Sequence, residues 1–203
     1  MKSRTGQLAL IALLIALPAA AQEISEEEQL AAWFEYLDSI EWVGEGGAGR
    51  MGNQAEIVVP SGYVFTGSEG TQSLMEAFGN LLSGQELGFV SPKLSGDNPD
   101  FEWFAVFEFD EVGYVKDDEK ADLDPDEMMD SMVENEKLAN KKRQEMGYDT
   151  LNITGWAMEP TYNEQTNNLE WAINLQAGSG MRNVNLNTRL LGREGVMKVT
   201  LVC

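Results

Sequence analysis

The sequence predicts an α+β domain: a mainly antiparallel sheet with a C-terminal meander and helices packed on one face. Three features of the chain carry this. Residues 152–158, 169–176, 184–191 and 196–202 alternate with period two and are joined by hairpin-like loops, among them Gly178-Ser179-Gly180 and Gly192-Arg193-Glu194-Gly195. Trp103–Phe109 is apolar on both faces, so it belongs centrally in the sheet, covered by helix on one side. Asp124-Pro125-Asp126-Glu127 opens a long helical stretch, with Asp124 as N-cap and Pro125 at the first helical position.

The remaining elements follow in chain order. Ser25 with Glu28 forms a capping box ahead of a helix carrying Leu30, Trp33, Phe34 and Leu37, ending near Ile40. The glycine-rich stretch 44–52 reads as a turn or flexible loop; with no Gly-Lys-Ser/Thr it is no phosphate loop. Residues 55–60 form a strand that Pro60 ends, and 63–65 a second extended piece. Leu74, Met75 and Phe78 place a helix over 71–80, followed by a short strand at 87–90. Gly113-Tyr114-Val115 continues or pairs with the central strand. The long helix runs to Met146, where Gly147 stops it, and Met128, Met129, Met132, Ala139 and Met146 form a loose stripe read as its core side. No internal repeat or inter-domain linker interrupts the chain.

Composition narrows the function. Hydrophobic residues are 43% of the 203, enough for a core, while 14 Lys and Arg against 34 Asp and Glu give a net charge of −20. That charge opposes binding to nucleic acid or to anionic lipid. There is no histidine, which removes Ser-His-Asp and Cys-His catalysis and His-ligated zinc. Cys203 is the only cysteine, so there is no intrachain disulfide. No cofactor is expected.

Residues 1–21 read as a signal peptide. Lys2 and Arg4 precede the apolar run Leu8–Leu17, and small residues then lead to cleavage after Ala21. Its loss leaves 12 basic against 34 acidic residues, a charge of −22. Residues 22–203 form a single α+β extracytoplasmic domain. Because Met197–Cys203 reads as strand interior with no turn to finish it, the intact gene is expected to continue.

Candidate sites are of three kinds. Asp122, Asp124 and Asp126 have the spacing of the first calcium-loop ligands, but Glu127 replaces the turning glycine and Val133 the twelfth ligand. Acids there serve better as a helix cap, complementing the dipole as Lys137, Lys141, Lys142 and Arg143 do at the far end. Asn183, Asn185, Asn187 and Arg189 alternate along one strand face, expected near Glu170 and Asn174 of a neighbouring strand. Such an amide-rich face binds a polar ligand or stands as a solvated face, the second being the expectation. A hydrolase would draw on Glu108, Asp110 or Glu170 as paired carboxylates, yet no catalytic motif supports one, and the chain is not expected to be an enzyme.

Three blocks also carry a family likeness: Phe107–Asp118; Gly155–Tyr162 with Asn168–Ala172; and Asn185–Met197. Their order resembles a bacterial domain-of-unknown-function family, number 2167, described as predicted membrane-anchored proteins, over roughly Trp33 to Val202. The resemblance implies an envelope location and, in longer members, transmembrane helices after the sheet region. It implies no reaction, cofactor or catalytic residue. The chain is therefore expected to be an exported protein on the periplasmic face of the inner membrane, tethered through a segment beyond residue 203. It would act there as an interaction or structural module with envelope protein partners. A periplasmic module for a polar ligand or divalent cation is one alternative, and a carboxylate hydrolase another. The acidity also suits adaptation to salt.

Overall fold

The computed structural model describes residues 25–95, 101–115, 120 and 123–203, so residues 1–21, expected to be a signal peptide, and Asp122 lie outside the described residues. The chain opens with α1 (Glu26–Asp38), whose Ser25–Glu28 capping box forms as expected. The hairpin β1 (Ala48–Met51) and β2 (Ala55–Val58) follows, then β3 (Tyr63–Gly67), α2 (Ser68–Ala77), β4 (Glu86–Pro92) and β5 (Phe104–Asp110). The long helix α3 (Pro125–Glu145) leads into the meander β6 (Leu151–Asn163), β7 (Asn168–Ala177), β8 (Arg182–Leu191) and β9 (Val196–Val202). Strands 3 to 9 form one antiparallel sheet in the order β3-β4-β5-β9-β8-β7-β6. The α+β class and the meander are thus as the periodicity predicts.

Cross-strand register assigns the faces, because directly opposed residues share one. All three helices lie on the same face. α1 and α2 bury Leu37, Ile40, Leu74 and Met75 against Phe89 of β4 and Val106 of β5. α3 lays Met128, Met129 and Met132 on Trp171, Ile173 and Leu175 of β7, while Met146, expected on the same core stripe, caps the helix and is 56% exposed. The opposite face is covered at one end by the β1–β2 hairpin, which packs Met51 and Val59 around Phe65. At the other end Met158, Leu186 and Leu190 remain 39%, 36% and 38% exposed.

Three local differences from expectation have physical causes. The glycine-rich 44–52 region is a strand at its end, not only a loop: Gly49 lets the hairpin lie directly on Phe65, whose ring would stand 2.7 Å from an added Cβ. Gly113–Val115 adds no strand; Gly113, at φ 75°, donates instead to the Glu194 carbonyl at 3.0 Å. β6 runs through Pro160, which an edge strand tolerates because no further neighbour requires its N–H, and register shifts absorb the irregularity. The long helix matches its expected limits: Asp124 accepts from the N–H groups of Asp126 (2.9 Å) and Glu127 (3.2 Å), and Gly147 follows at φ 77°.

Candidate functional site: a cleft between the helices

The helices on the shared face do not meet. α1 and α2 roof β4 and β5, α3 roofs β7 and β6, and the strip above β9 and β8 has no helix cluster over it. Apolar residues along that strip would face water, and here the sequence changes character. Its inward residues are Asn183, Asn185, Asn187 and Arg189 on β8 with Lys198, Thr200 and Val202 on β9. The result is a cleft of about 490 Å³. One wall is aromatic, with Phe78, Phe101 and Phe104 in mutual ring contact; the other includes Leu151, Leu175 and Met181. Asn183, Asn185, Thr200 and Val202 line it from β8 and β9, together with Glu86 and Glu108 from β4 and β5.

A row of charges crosses the sheet beside this cleft. Register sets Arg189 opposite Lys198, Lys198 opposite Glu108, and Glu108 opposite Glu86. Lys198 Nζ donates to Gln85 Oε1 at 2.8 Å and pairs with Asp110 at 3.2 Å and Glu108 at 3.8 Å. Arg189 lies over the Trp171 ring, 4.7 Å from its centroid. Burial lowers the Arg189 pKa, and the charges of Glu108 and Asp110 act in the opposite sense.

Glu86 is only 4% exposed. Its Oε1 accepts from the Ser83 N–H at 2.6 Å and the Ser83 hydroxyl at 2.9 Å, while that hydroxyl also lies 2.6 Å from Glu108 Oε1. Burial pushes the Glu86 carboxyl up, but the Ser83, Glu86 and Gly84 N–H groups and the Ser83 hydroxyl outweigh it and hold it below its ordinary value. Its other oxygen, Oε2, is buried without a hydrogen-bond partner, as is Oδ1 of Asn185.

The structure brings Asn183, Asn185, Asn187 and Arg189 together on one face, where Asn187 is buried and the other three are half-buried. Asn187 is 8% exposed, donating to the Asn185 carbonyl at 3.1 Å and accepting from the Thr200 hydroxyl at 3.2 Å. Glu170 does not join them. It stands opposite Thr188, on the other side of the sheet, because the register pairs odd residues of β7 with odd residues of β8. Asn174, opposite Val184, is on that outer side too. Glu108 and Asp110 do share a face, both held by Lys198, but the sheet separates them from Glu170. The Asp124 carboxylate is committed to the cap, and Asp126 sits in the helix's first turn. Among the described residues no group of three or more His, Cys, Asp or Glu could hold a metal ion, and no helix is long and apolar enough to cross a membrane.

Sequence reasoning missed Ser83, Glu86, Lys198 and the aromatic wall. Two signals were available: Glu86 is the one charged residue of its strand, and Lys198 the one charged residue of its own.

A family model described as a protein of unknown function (DUF2167) matches residues 45–203. No curated protein and no solved structure matches the chain.

Proposed function

The chain belongs to the DUF2167 family, and from that premise we propose that it is a non-enzymatic binding module of the bacterial cell envelope whose ligand site is the cleft between α2 and the β7–β8 turn. The observation that carries this reading is the cleft's construction. Two apolar walls flank an amide-rich strip, in a volume suited to a small molecule. A merely structural face would have closed over β8 and β9 or exposed its amides to solvent; here Asn187 is buried and Asn185 keeps an unpartnered oxygen. A binding role is favoured over hydrolysis because Lys198 pairs with both Glu108 and Asp110, and Glu170 is on the far side of the sheet.

Thermal unfolding of the mature chain in the presence of n-octylammonium, n-octanol and n-octanoate tests the site without presuming the ligand's charge. At least one of the three is expected to raise the Tm of the wild type and not that of Val202→Trp, which fills the cleft. No shift with any of them overturns the reading.

Export with cleavage after Ala21, and residence on the periplasmic face of the inner membrane through a tether, are part of the same proposal. They rest on the leader pattern and on the family resemblance. Fractionation of the producing cell with mass determination of the native N-terminus tests them. Recovery of the uncleaved chain in the cytoplasm contradicts them.

A further inference from the structure

Resting on the cleft being a ligand site, we propose that its ligand carries an ammonium or guanidinium head on an apolar body, the head neutralising the Glu86–Glu108 end of the cleft. The hydrogen-bonding ledger of the lining is lopsided. Four buried side-chain N or O atoms lack partners among the described residues: Glu86 Oε2, Asn185 Oδ1, Arg143 Nε and Trp171 Nε1. The first two belong to residues lining the cleft and the last two do not. Both unpartnered atoms in the lining are therefore acceptors, and the missing groups are donors.

Ser83 makes the shortage sharper. Its one hydroxyl proton is shared between Glu86 Oε1 and Glu108 Oε1, two carboxylates directly opposed on neighbouring strands, where like charges repel. Charge tells the same story. Glu86, Glu108 and Asp110 bring three negative charges to the row, and Lys198 and Arg189 bring two positive ones. Arg189 is occupied with the Trp171 ring, and Lys198 is divided among Gln85, Glu108 and Asp110. Arg182 and Glu102 also line the cleft; Arg182 begins β8, seven residues and about 23 Å of strand rise from Arg189, and so stands at the end of the cleft away from the Glu86–Glu108 pair. One cationic donor balances the row and satisfies a buried carboxylate oxygen. An anionic head at this end would meet Glu86 and Glu108 and be repelled, whereas one drawn to Arg182 at the other end would leave Glu86 Oε2 unpartnered. The aromatic wall of Phe78, Phe101 and Phe104 suits the same ligand, since its ring faces accept both apolar chain and cation.

Isothermal titration of the mature chain with n-octylammonium, n-octylguanidinium, ethylammonium, n-octanol and n-octanoate decides the matter. The two octyl cations are expected to bind on the order of tenfold or more tighter than octanoate or octanol, with the preference falling as salt rises. Ethylammonium is expected to be the weakest of the cations. Glu86→Gln is expected to abolish the preference for cation over alcohol. Should that variant fail to fold, the wild-type ranking and its salt dependence decide alone. Octanoate or octanol binding as tightly as the octyl cations overturns the charge assignment and leaves the cleft as a site. Binding by none of the five overturns the cleft reading as well.

Discussion

Glu86 of β4 and Glu108 of β5 stand directly opposite one another and share the hydroxyl of Ser83, at 2.9 and 2.6 Å. Two carboxylates placed side by side with a single proton between them are held by donors on either flank, the Ser83 N–H for Glu86 and Lys198 for Glu108. The Ser83 hydroxyl is therefore the centre of the local balance. Ser83→Ala removes it from a buried acceptor and is expected to cost about 1–3 kcal/mol in urea unfolding. An unchanged midpoint contradicts the arrangement.

The same carboxylate predicts a pH response. Glu86 has its folded pKa below the ordinary 4.5, so it favours the folded chain wherever it is ionised in both states. That contribution is complete above about pH 4.5 and is lost as pH falls through the lower folded value. Glu108 across the strand pair, Ser83, and Lys198 behind Glu108 are the groups that face it. Glu86→Gln is expected to unfold with a shallower loss of stability below pH 4.5 than the wild type. Parallel curves through that range contradict the assignment.

α3 is fastened to the sheet edge by a side chain acting as a strand. Asn140 donates to the Leu151 carbonyl at 2.7 Å and accepts from the Leu151 N–H at 2.9 Å. Glu136 accepts from the Ile153 N–H at 2.5 Å. These bonds satisfy backbone groups that β6 would otherwise expose at its free edge. Asn140→Ala is expected to destabilise the chain by about 1–3 kcal/mol and to speed amide exchange at Leu151. Protection at Leu151 equal to the wild type contradicts the clasp.

Gly195, at the turn into β9, is buried against β5. A Cβ there would stand 2.0 Å from the Asp110 carbonyl oxygen and 2.7 Å from the Phe109 ring. The obstacle is backbone, which cannot rotate aside. Gly195→Ala is expected to lower stability by about 1–3 kcal/mol. Because the β5–β9 pairing carries Lys198 to Asp110 and Glu108, cleft binding should weaken with it. A neutral substitution contradicts the close approach.

The chain announces its elements well wherever local rules act alone. The Ser25–Glu28 box, the Asp124 cap, Gly147 and the four alternating strands all form because caps, turns and pleats depend on near neighbours. The site was half visible. Alternation put Asn183 through Arg189 on one face, but which face received the helices depends on register, and register also turned Glu170 away. Ser83 and Glu108 are 25 residues apart in sequence, and Lys198 reaches Gln85 across 113, so no local pattern ties them together. The glycine-rich 44–52 region was read from composition, whereas its strand arises from a distant ring, Phe65.

The central claim is that the cleft between the helices binds a cationic amphiphile, and amide and side-chain NMR shifts of the mature chain on titration with n-octylammonium test it most directly. The expected result is saturable shifts confined to Phe78, Phe101, Asn183, Asn185 and Thr200, with Glu86 responding and the outer-face residues Leu186 and Leu190 silent. Shifts centred on Leu186 and Leu190, or none that saturate, contradict it.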